Sequence, residues 1–189
     1  MWTADALTAP LRIIDESFCD VTPDASLIEM VAEPGTVVLK SFGKFWGMAG
    51  LRLGFAIGDP ALINPLRDLL GPWNVSGPAL AIGAEALSDP AWSDDTRARL
   101  TNDAARLDDL MTSKRSPLVG ATSPSRLYQA ANAKSAQHPL AQHHLWRRIF
   151  PYAHTSLPLA LPHPLPCEPL SASFSPFPPL CSSPRPPPR

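Results

Sequence analysis

The segment 41–54, with the sequence SFGKFWGMAGLRLG, carries the residues of this chain best suited to chemistry. Lys44 follows Ser41 by three residues, and Arg52 lies further along the same segment. A hydroxyl and a guanidinium can together hold a phosphate group, because the guanidinium offers parallel donors to an oxyanion. A lysine amine between them is a nucleophile that can form a Schiff base. The glycines of the segment let the backbone approach a bound group.

Asp15 is the second candidate. It follows the apolar run 11–14 (LRII) and precedes Glu16. Burying a carboxylate costs free energy unless a cation is close, and a protonated pyridine nitrogen is such a cation. A simpler alternative is that Asp15 caps a turn. Glu16 is interpreted as a turn carboxylate with no further role.

Three apolar runs are predicted to be the strands that position these residues, over 11–14, 36–40 and 51–57. None of the three alternates between apolar and polar residues. Such runs are typical of strands covered on both faces, as in α/β proteins. The fold class expected from the sequence is therefore α/β.

Proline and glycine divide the rest of the chain. Asp59-Pro60 has the form of an N-cap followed by proline at the first helical position, and Pro65 either kinks that helix or restarts it before Gly71. The helix over 92–111 is interpreted as a link between two lobes. Further elements are predicted as helices over 77–87 and 140–149 and as short strands over 117–121 and 126–128.

Composition excludes several classes of function. The chain has 189 residues, with 16 Lys and Arg against 17 Asp and Glu, so no basic surface for nucleic acid or membrane is expected. No run approaches the length of a membrane span, and the first residues lack the pattern of a secretion signal.

The cysteines and histidines suggest neither disulfides nor a metal site. Three cysteines, Cys19, Cys167 and Cys181, do not form spaced pairs, which predicts a reducing, cytoplasmic setting. His138, His143 and His144 cluster without a matching cysteine or carboxylate pattern. They are interpreted as surface histidines, and no metal is expected.

The prolines are unevenly distributed. Of 24 prolines, 12 lie between Pro158 and Pro188. Proline that dense removes backbone donors and prevents helices and central strands. The sequence therefore predicts a globular body followed by a disordered, proline-rich tail over 154–189.

Taken together, Asp-Glu-x-Phe at 15–18 and Ser-Phe-Gly-Lys-x-x-Gly-x-x-Gly-x-Arg-x-Gly at 41–54 resemble the class I/II aminotransferase family, pyridoxal-phosphate enzymes of fold type I. The resemblance covers about residues 10 to 153. Within the family, the segments 15–27 and 71–87 are most similar to the threonine-phosphate decarboxylases of cobalamin biosynthesis. Histidinol-phosphate aminotransferases are the alternative branch.

The resemblance implies a role for each matching residue. Lys44 matches the lysine that binds pyridoxal 5'-phosphate covalently. Asp15 matches the aspartate that pairs with the pyridinium nitrogen and keeps the ring an electron sink. Ser41 and Arg52 match ligands of the cofactor phosphate. Asn74 lies near the substrate side in relatives.

The same resemblance implies a partial fold. Residues 1–88 match the C-terminal part of the large cofactor-binding domain, and residues 89–153 match the small α+β domain. Family members are considerably longer, and their N-terminal half has no counterpart before Asp15. Phe18 stands where a tyrosine often bonds the 3-oxygen of the cofactor, so that role is vacant. Pro158 stands where an arginine grips the substrate carboxylate.

Two hypotheses about function follow. In the first, the chain is part of an enzyme that acts on a small amino-acid phosphate and has no nucleic-acid or membrane partner. If it folds, a homodimer is expected. In the second, it is a non-catalytic fragment that keeps the site lysine, and this chain alone is expected to be inactive. A third alternative is the nucleophile motif of penicillin-binding proteins, which Ser41-x-x-Lys44 also matches. That motif needs Ser-Asp-Asn and Lys-Thr-Gly partners, and the sequence has neither.

Overall fold

The computed structural model describes residues 9–122, 124–142 and 145–161. The chain divides into two compact units, with the boundary between Ser93 and Asp94. The predicted tail beyond residue 161 lies outside the described residues, as do His143 and His144.

The first unit contains a three-stranded sheet with the order β1-β2-β3, formed by Arg12–Asp15, Thr36–Ser41 and Gly54–Gly58. β1 pairs with β2 in parallel, and β2 pairs with β3 in antiparallel. The connection between β1 and β2 contains the short 3₁₀ turns Cys19–Val21, Pro23–Ala25 and Ile28–Ala32.

This sheet is not covered on both faces throughout. Val38 and Ile14 are buried, but Ile13 is 62% exposed and Leu11 is 54% exposed. Because successive side chains of a strand point to opposite faces, β1 buries one face and leaves the other open. The expectation of two covered faces is therefore wrong for β1.

Two capped helices follow the sheet. α1 (Pro60–Leu70) begins at Asp59, whose side chain accepts a hydrogen bond from the Ala61 amide, and it ends at Gly71 with φ of 72°. It continues through Pro65 without restarting. α2 (Gly77–Leu87) has the predicted bounds, and the side chain of Ser76 caps it.

The third helix, α3 (Pro90–Ser113), runs across the boundary between the units. The second unit adds an antiparallel sheet with the order β4-β5-β6, formed by Leu118–Thr122, Ser125–Gln129 and Ser156–Ala160, and the helix α4 (Ala133–Gln142). Its core contains the following side chains, all less than a tenth exposed: Leu107, Met111, Tyr128, Ala136, Leu140 and Leu157.

Two expectations for the second unit are corrected. The helix predicted over 140–149 lies earlier in the chain, because Asn132 caps it by accepting hydrogen bonds from the Lys134 and Ser135 amides. The stretch Ser156–Ala160, predicted to belong to the disordered tail, forms β6. It is ordered by its pairing with β5, where Leu157 faces Tyr128.

Pro158 fits this strand. The hydrogen bonds from Leu161 N to Pro124 O and from Ala130 N to Thr155 O set the register, which places Pro158 opposite Leu127 in a pair that exchanges no backbone hydrogen bond. Its nitrogen therefore faces away from β5. Among the described strands β6 is an edge, where proline is tolerated.

Glu16 anchors the connection that leaves β1. Its side chain is 5% exposed and accepts hydrogen bonds from the Leu27 amide at 2.5 Å and from Ser26 Oγ at 2.8 Å. Lys40 of β2 lies 3.2 Å from the same carboxylate. Glu16 is therefore not the turn carboxylate that the sequence suggested, because it holds a returning segment of chain against β2.

Lys40 extends this anchor. Its Nζ also lies 2.9 Å from Asp20 Oδ1, and Asp20 Oδ2 accepts a hydrogen bond from Trp46 Nε1 at 2.9 Å. Burial lowers the pKa of Lys40, but Asp20 and Glu16 outweigh it and the net pKa is raised. Burial likewise raises the pKa of Glu16, but the Leu27, Ser26 and Lys40 donors outweigh it and the net pKa is below its usual value.

We expect Glu16→Gln to lower the free energy of unfolding by about 2 kcal/mol at neutral pH, because it leaves Lys40 partly buried with one carboxylate fewer. A carboxyl whose folded pKa is depressed contributes stability above its unfolded pKa, and that contribution is lost as the pH falls through the folded pKa. Urea unfolding from pH 7 to pH 3 should therefore show that the difference in free energy of unfolding between wild type and Glu16→Gln shrinks below about pH 4.5. Glu29→Gln, at an exposed position, is the control, and an equal loss in both variants would contradict the anchor.

We expect Gly58→Ala to destabilise the first unit by about 2 to 3 kcal/mol. A Cβ at Gly58 would clash with the Thr36 carbonyl oxygen and lie 2.9 Å from Val37 Cα, so the β2–β3 pair would have to separate. Gly77→Ala, where nothing lies within 4 Å, is the matched control. Urea unfolding that gives the same midpoint for both variants would refute this packing.

Candidate cofactor-binding site

The predicted site residues Ser41, Lys44 and Arg52 lie on one hairpin. Ser41 ends β2 opposite Gly54, and the Phe42 amide donates to the Leu53 carbonyl at 3.1 Å. The loop 42–53 therefore leaves and re-enters the sheet at one edge, with Ser41 and Arg52 flanking its ends and Lys44 within it.

Apolar side chains at the two ends of the loop pack against α2 and anchor it. Phe42 is 2% exposed and Leu53 is 6% exposed, and both pack with Ala79 of α2. The helix approaches closely at Gly83, where a Cβ would lie 2.5 Å from Leu53 Cδ2. Trp46 stacks on Phe42 with ring centroids 5.0 Å apart. These contacts fix the loop while Lys44 stays exposed to solvent.

Two residues of the loop adopt positive φ. Gly47 has φ of 69°, and Arg52 has φ of 53°, which is uncommon for a residue with a side chain. Arg52 ends the 3₁₀ turn Ala49–Leu51, and its Nη1 donates to the Ala49 carbonyl at 3.2 Å. This bond holds the exposed guanidinium near the loop backbone.

Asp15 lies at the end of β1, exposed, beside β2. Its Oδ1 accepts hydrogen bonds from Ser17 Oγ at 2.5 Å and from the Ser17 amide at 2.9 Å. These two bonds, and to a smaller extent the charge of Lys44, lower the pKa of Asp15. Oδ1 thus makes the turn contacts that the capping alternative predicts, and among the described residues Oδ2 has no hydrogen-bond partner.

Phe18 has a contact that the sequence did not reveal. The ammonium of Lys44 lies 5.2 Å from the centroid of the Phe18 ring, within the range of a cation–π interaction. Nothing in the spacing of Phe18 and Lys44 signals this contact, since it depends on how the two strand ends fold. The Asp15–Ser17 pair, by contrast, could have been found from the Asp-x-Ser pattern of such turns.

The structure brings four of the five predicted site residues to neighbouring strand ends. Asp15 and Lys44 are close enough to interact electrostatically, and Ser41 and Arg52 flank the loop that bears Lys44. Asn74 lies exposed between α1 and α2. In the part of the chain that the structure describes, no hydrogen bond links Asn74 to the other four.

The donor set fits pyridoxal phosphate. An exposed primary amine, an ionised carboxylate with one open oxygen, a hydroxyl and a guanidinium are the groups that its aldehyde, ring nitrogen and phosphate require. A metal has less to bind here, because the described residues contain no group of three or more His, Cys, Asp or Glu side chains that could hold one. The same residues include no helix long and apolar enough to cross a membrane.

Comparison with known proteins finds similarity to threonine-phosphate decarboxylases and to histidinol-phosphate aminotransferases. Threonine-phosphate decarboxylase of Pseudomonas aeruginosa is 43% identical over 99 residues, covering 52% of this chain and 30% of that protein. The decarboxylase of a Sinorhizobium species is 36% identical over 155 residues, covering 80% of this chain and 45% of that protein. Histidinol-phosphate aminotransferase of Rhodospirillum rubrum is 42% identical over 92 residues, covering 47% and 25%.

Solved structures share the fold. Histidinol-phosphate aminotransferase from Clostridium acetobutylicum superposes with a TM-score of 0.73 at 16% identity, covering 80% of this chain and 49% of that chain. L-Threonine-O-3-phosphate decarboxylase from Porphyromonas gingivalis superposes with a TM-score of 0.69 at 14% identity, covering 86% and 53%. These matches confirm the predicted α/β class and the partial pyridoxal-phosphate transferase fold.

The chain spans less than half the length of the curated relatives that it matches. The profile of the family described as aminotransferase class I and II matches residues 11–154. That match covers most of the chain and includes the strand ends and the hairpin described above. The chain therefore belongs to the class I and II aminotransferase family, whose members depend on pyridoxal phosphate.

Proposed function

We propose that this chain carries the covalent cofactor site of a pyridoxal-phosphate enzyme that acts as a threonine-phosphate decarboxylase. The observation that carries the proposal is the proximity of Lys44 and Asp15 at neighbouring strand ends, where the lysine charge acts on the carboxylate. A nucleophilic amine and an ionised carboxylate serve the two ends of one pyridine ring.

In this proposal each side chain has one task. The bound cofactor supplies an electron sink for the negative charge that develops on a substrate carbon. Ser41 Oγ and the Arg52 guanidinium hold the cofactor phosphate. Lys44 Nζ would bind the cofactor covalently and, when released from it, could carry a proton.

Asp15 has the task of keeping a proton on the pyridine nitrogen. Its lowered pKa keeps the carboxylate charged at neutral pH, and Ser17 fixes its orientation through Oδ1. The open Oδ2 can then accept a hydrogen bond from the protonated ring nitrogen. A carboxylate that is oriented in advance loses little entropy when the cofactor binds.

Similarity across the chain supports the decarboxylase branch. The match to the Sinorhizobium decarboxylase extends over 80% of this chain, against 47% for the Rhodospirillum aminotransferase. The substrate proposed is therefore a small amino-acid phosphate. Histidinol-phosphate transamination is the alternative, because the Rhodospirillum aminotransferase is 42% identical over 92 residues, nearly equal to the 43% over 99 residues of the Pseudomonas decarboxylase. The two reactions differ in whether the bond to the carboxylate or the Cα–H bond breaks.

The proposal concerns the cofactor site, and catalytic turnover is expected to need more of the enzyme than this chain contains. Pro158 offers no charge to a substrate carboxylate, and relatives extend well beyond the segment matched here. The chain alone is accordingly predicted to be inactive, which keeps the fragment hypothesis open. A homodimer and a cytoplasmic setting also remain predictions.

We expect pyridoxal phosphate to form a borohydride-stable adduct on Lys44 when added to the purified chain. Absorbance titration followed by reduction and peptide mass spectrometry measures both affinity and position. Lys44→Ala should lose the adduct, whereas Lys134→Ala, at an exposed position in the second unit, should keep it. A labelled Lys40 or Lys134 with an unlabelled Lys44 would refute the assignment.

Asp15→Asn, measured in the same titration, tests the proposed interaction of Asp15 with the ring nitrogen of the cofactor. It should weaken cofactor affinity at pH 7 by about 10-fold, because the neutral amide no longer stabilises a protonated ring nitrogen. Asp24→Asn, at an exposed position in the β1–β2 connection, should have no effect. Equal affinities for Asp15→Asn and wild type would remove Asp15 from the site while leaving the Lys44 assignment intact.

We expect L-threonine O-3-phosphate to perturb the absorbance of the cofactor-loaded chain at lower concentration than histidinol phosphate does. The segment 71–87, which includes Asn74, is the part that resembles the decarboxylase branch near the substrate. The measurement is a spectral titration of the loaded chain with each compound. The reverse order of concentrations would favour the aminotransferase alternative.

A further inference from the structure

One cavity of the second unit has a mostly apolar wall and a buried cation. It encloses about 410 Å³, a volume that accommodates a small organic molecule. Its apolar lining comes from α3, α4, the segment that follows α4, and β6, with these side chains: Leu107, Leu140, Leu145, Trp146, Phe150 and Leu159. Arg147 and Arg148 also line it.

Arg147 is the unusual residue of this set. It is 6% exposed, and its Nη1 donates to the Arg148 carbonyl at 3.3 Å. Its Nε and Nη2 are buried and have no hydrogen-bond partner among the described residues. Among the described residues no carboxylate lies within ion-pair distance of Arg147, and burial alone shifts its pKa.

An unpaired buried guanidinium is costly. Burial lowers the pKa of Arg147, yet arginine stays protonated in proteins, so the charge persists. Two free donors that point in a fixed fork match the two oxygens of a carboxylate. An anion that entered the cavity would therefore offset the cost of burying this guanidinium.

The lining decides between kinds of anion. A carboxylate needs few donors, and Arg147 can supply both of its oxygens. A phosphate brings more oxygens and more charge, and apart from Arg147, Arg148 and Ser125 the lining of the cavity is apolar. The rest of the cavity favours a ligand with an apolar body.

We propose that the second unit binds a small carboxylic acid with an apolar body, its carboxylate held by Arg147 and its body packed in the cavity between α4 and β6. This inference uses residues of the second unit alone. It does not rest on the cofactor site, so either can fail without the other.

The test uses the full chain and two matched probes, 4-phenylbutyrate and 4-phenylbutanol, which differ in the charged group. Calorimetric titration should show that the acid binds wild type at least about 10-fold more tightly than the alcohol. Arg147→Met keeps most of the side-chain volume and should remove that preference. Arg106→Met, which loses an arginine that is 64% exposed on α3, should retain it.

A second readout separates binding from folding. Without any probe, Arg147→Met should melt at a higher temperature than wild type, because an unpaired buried charge is gone. Arg147→Lys should bind 4-phenylbutyrate with intermediate affinity, since an ammonium keeps the charge but not the fork.

Three results would overturn the proposal. One is equal affinity of wild type for the acid and the alcohol. Another is tighter binding of inorganic phosphate than of 4-phenylbutyrate. The third is a wild type that binds nothing while Glu168→Gln binds the acid, which would show that a carboxylate of this chain outside the described residues neutralises Arg147.

Discussion

The ion pair between Glu16 and Lys40 connects the two parts of the sequence on which the cofactor site depends. Glu16 directly follows Asp15, and Lys40 directly precedes Ser41. Their contact at 3.2 Å therefore fixes the end of β1 relative to the end of β2. Together with the backbone pairing of β1 and β2 and the ion pair of Lys40 with Asp20, this contact joins the residue proposed to hold the ring nitrogen to a residue proposed to hold the phosphate.

The period of the strand separates anchoring from binding. Adjacent residues of a strand point to opposite faces, so Lys40 can face Glu16 and Asp20 while Ser41 points to the other face of the sheet. The hairpin repeats this division, because buried Phe42 and Leu53 hold the loop from which exposed Lys44 and Arg52 project. Groups that must meet a ligand thus gain rigidity from neighbours that never touch it.

Sequence alone predicted those features whose signal is local. The caps at Asp59 and the bounds of α2 follow from residues within one turn of the helix, and the strand runs follow from apolar composition. The burial of Glu16 did not follow, because its partner Lys40 lies in another strand and only folding joins them. The open face of β1 was missed for a similar reason. A run of apolar residues does not indicate whether other elements will cover both faces of the strand.

The buried charges of Glu16 and Arg147 are compensated to different degrees. In the first unit, Glu16 and Lys40 satisfy each other and take further hydrogen bonds, so their burial is compensated within the chain. In the second unit, Arg147 keeps two donors without a partner among the described residues. Compensated charge serves to position structure, whereas uncompensated charge beside a cavity costs stability until something binds. An anion held by Arg147 would remove this cost, so the unpartnered donors support the proposed ligand more directly than the volume of the cavity does.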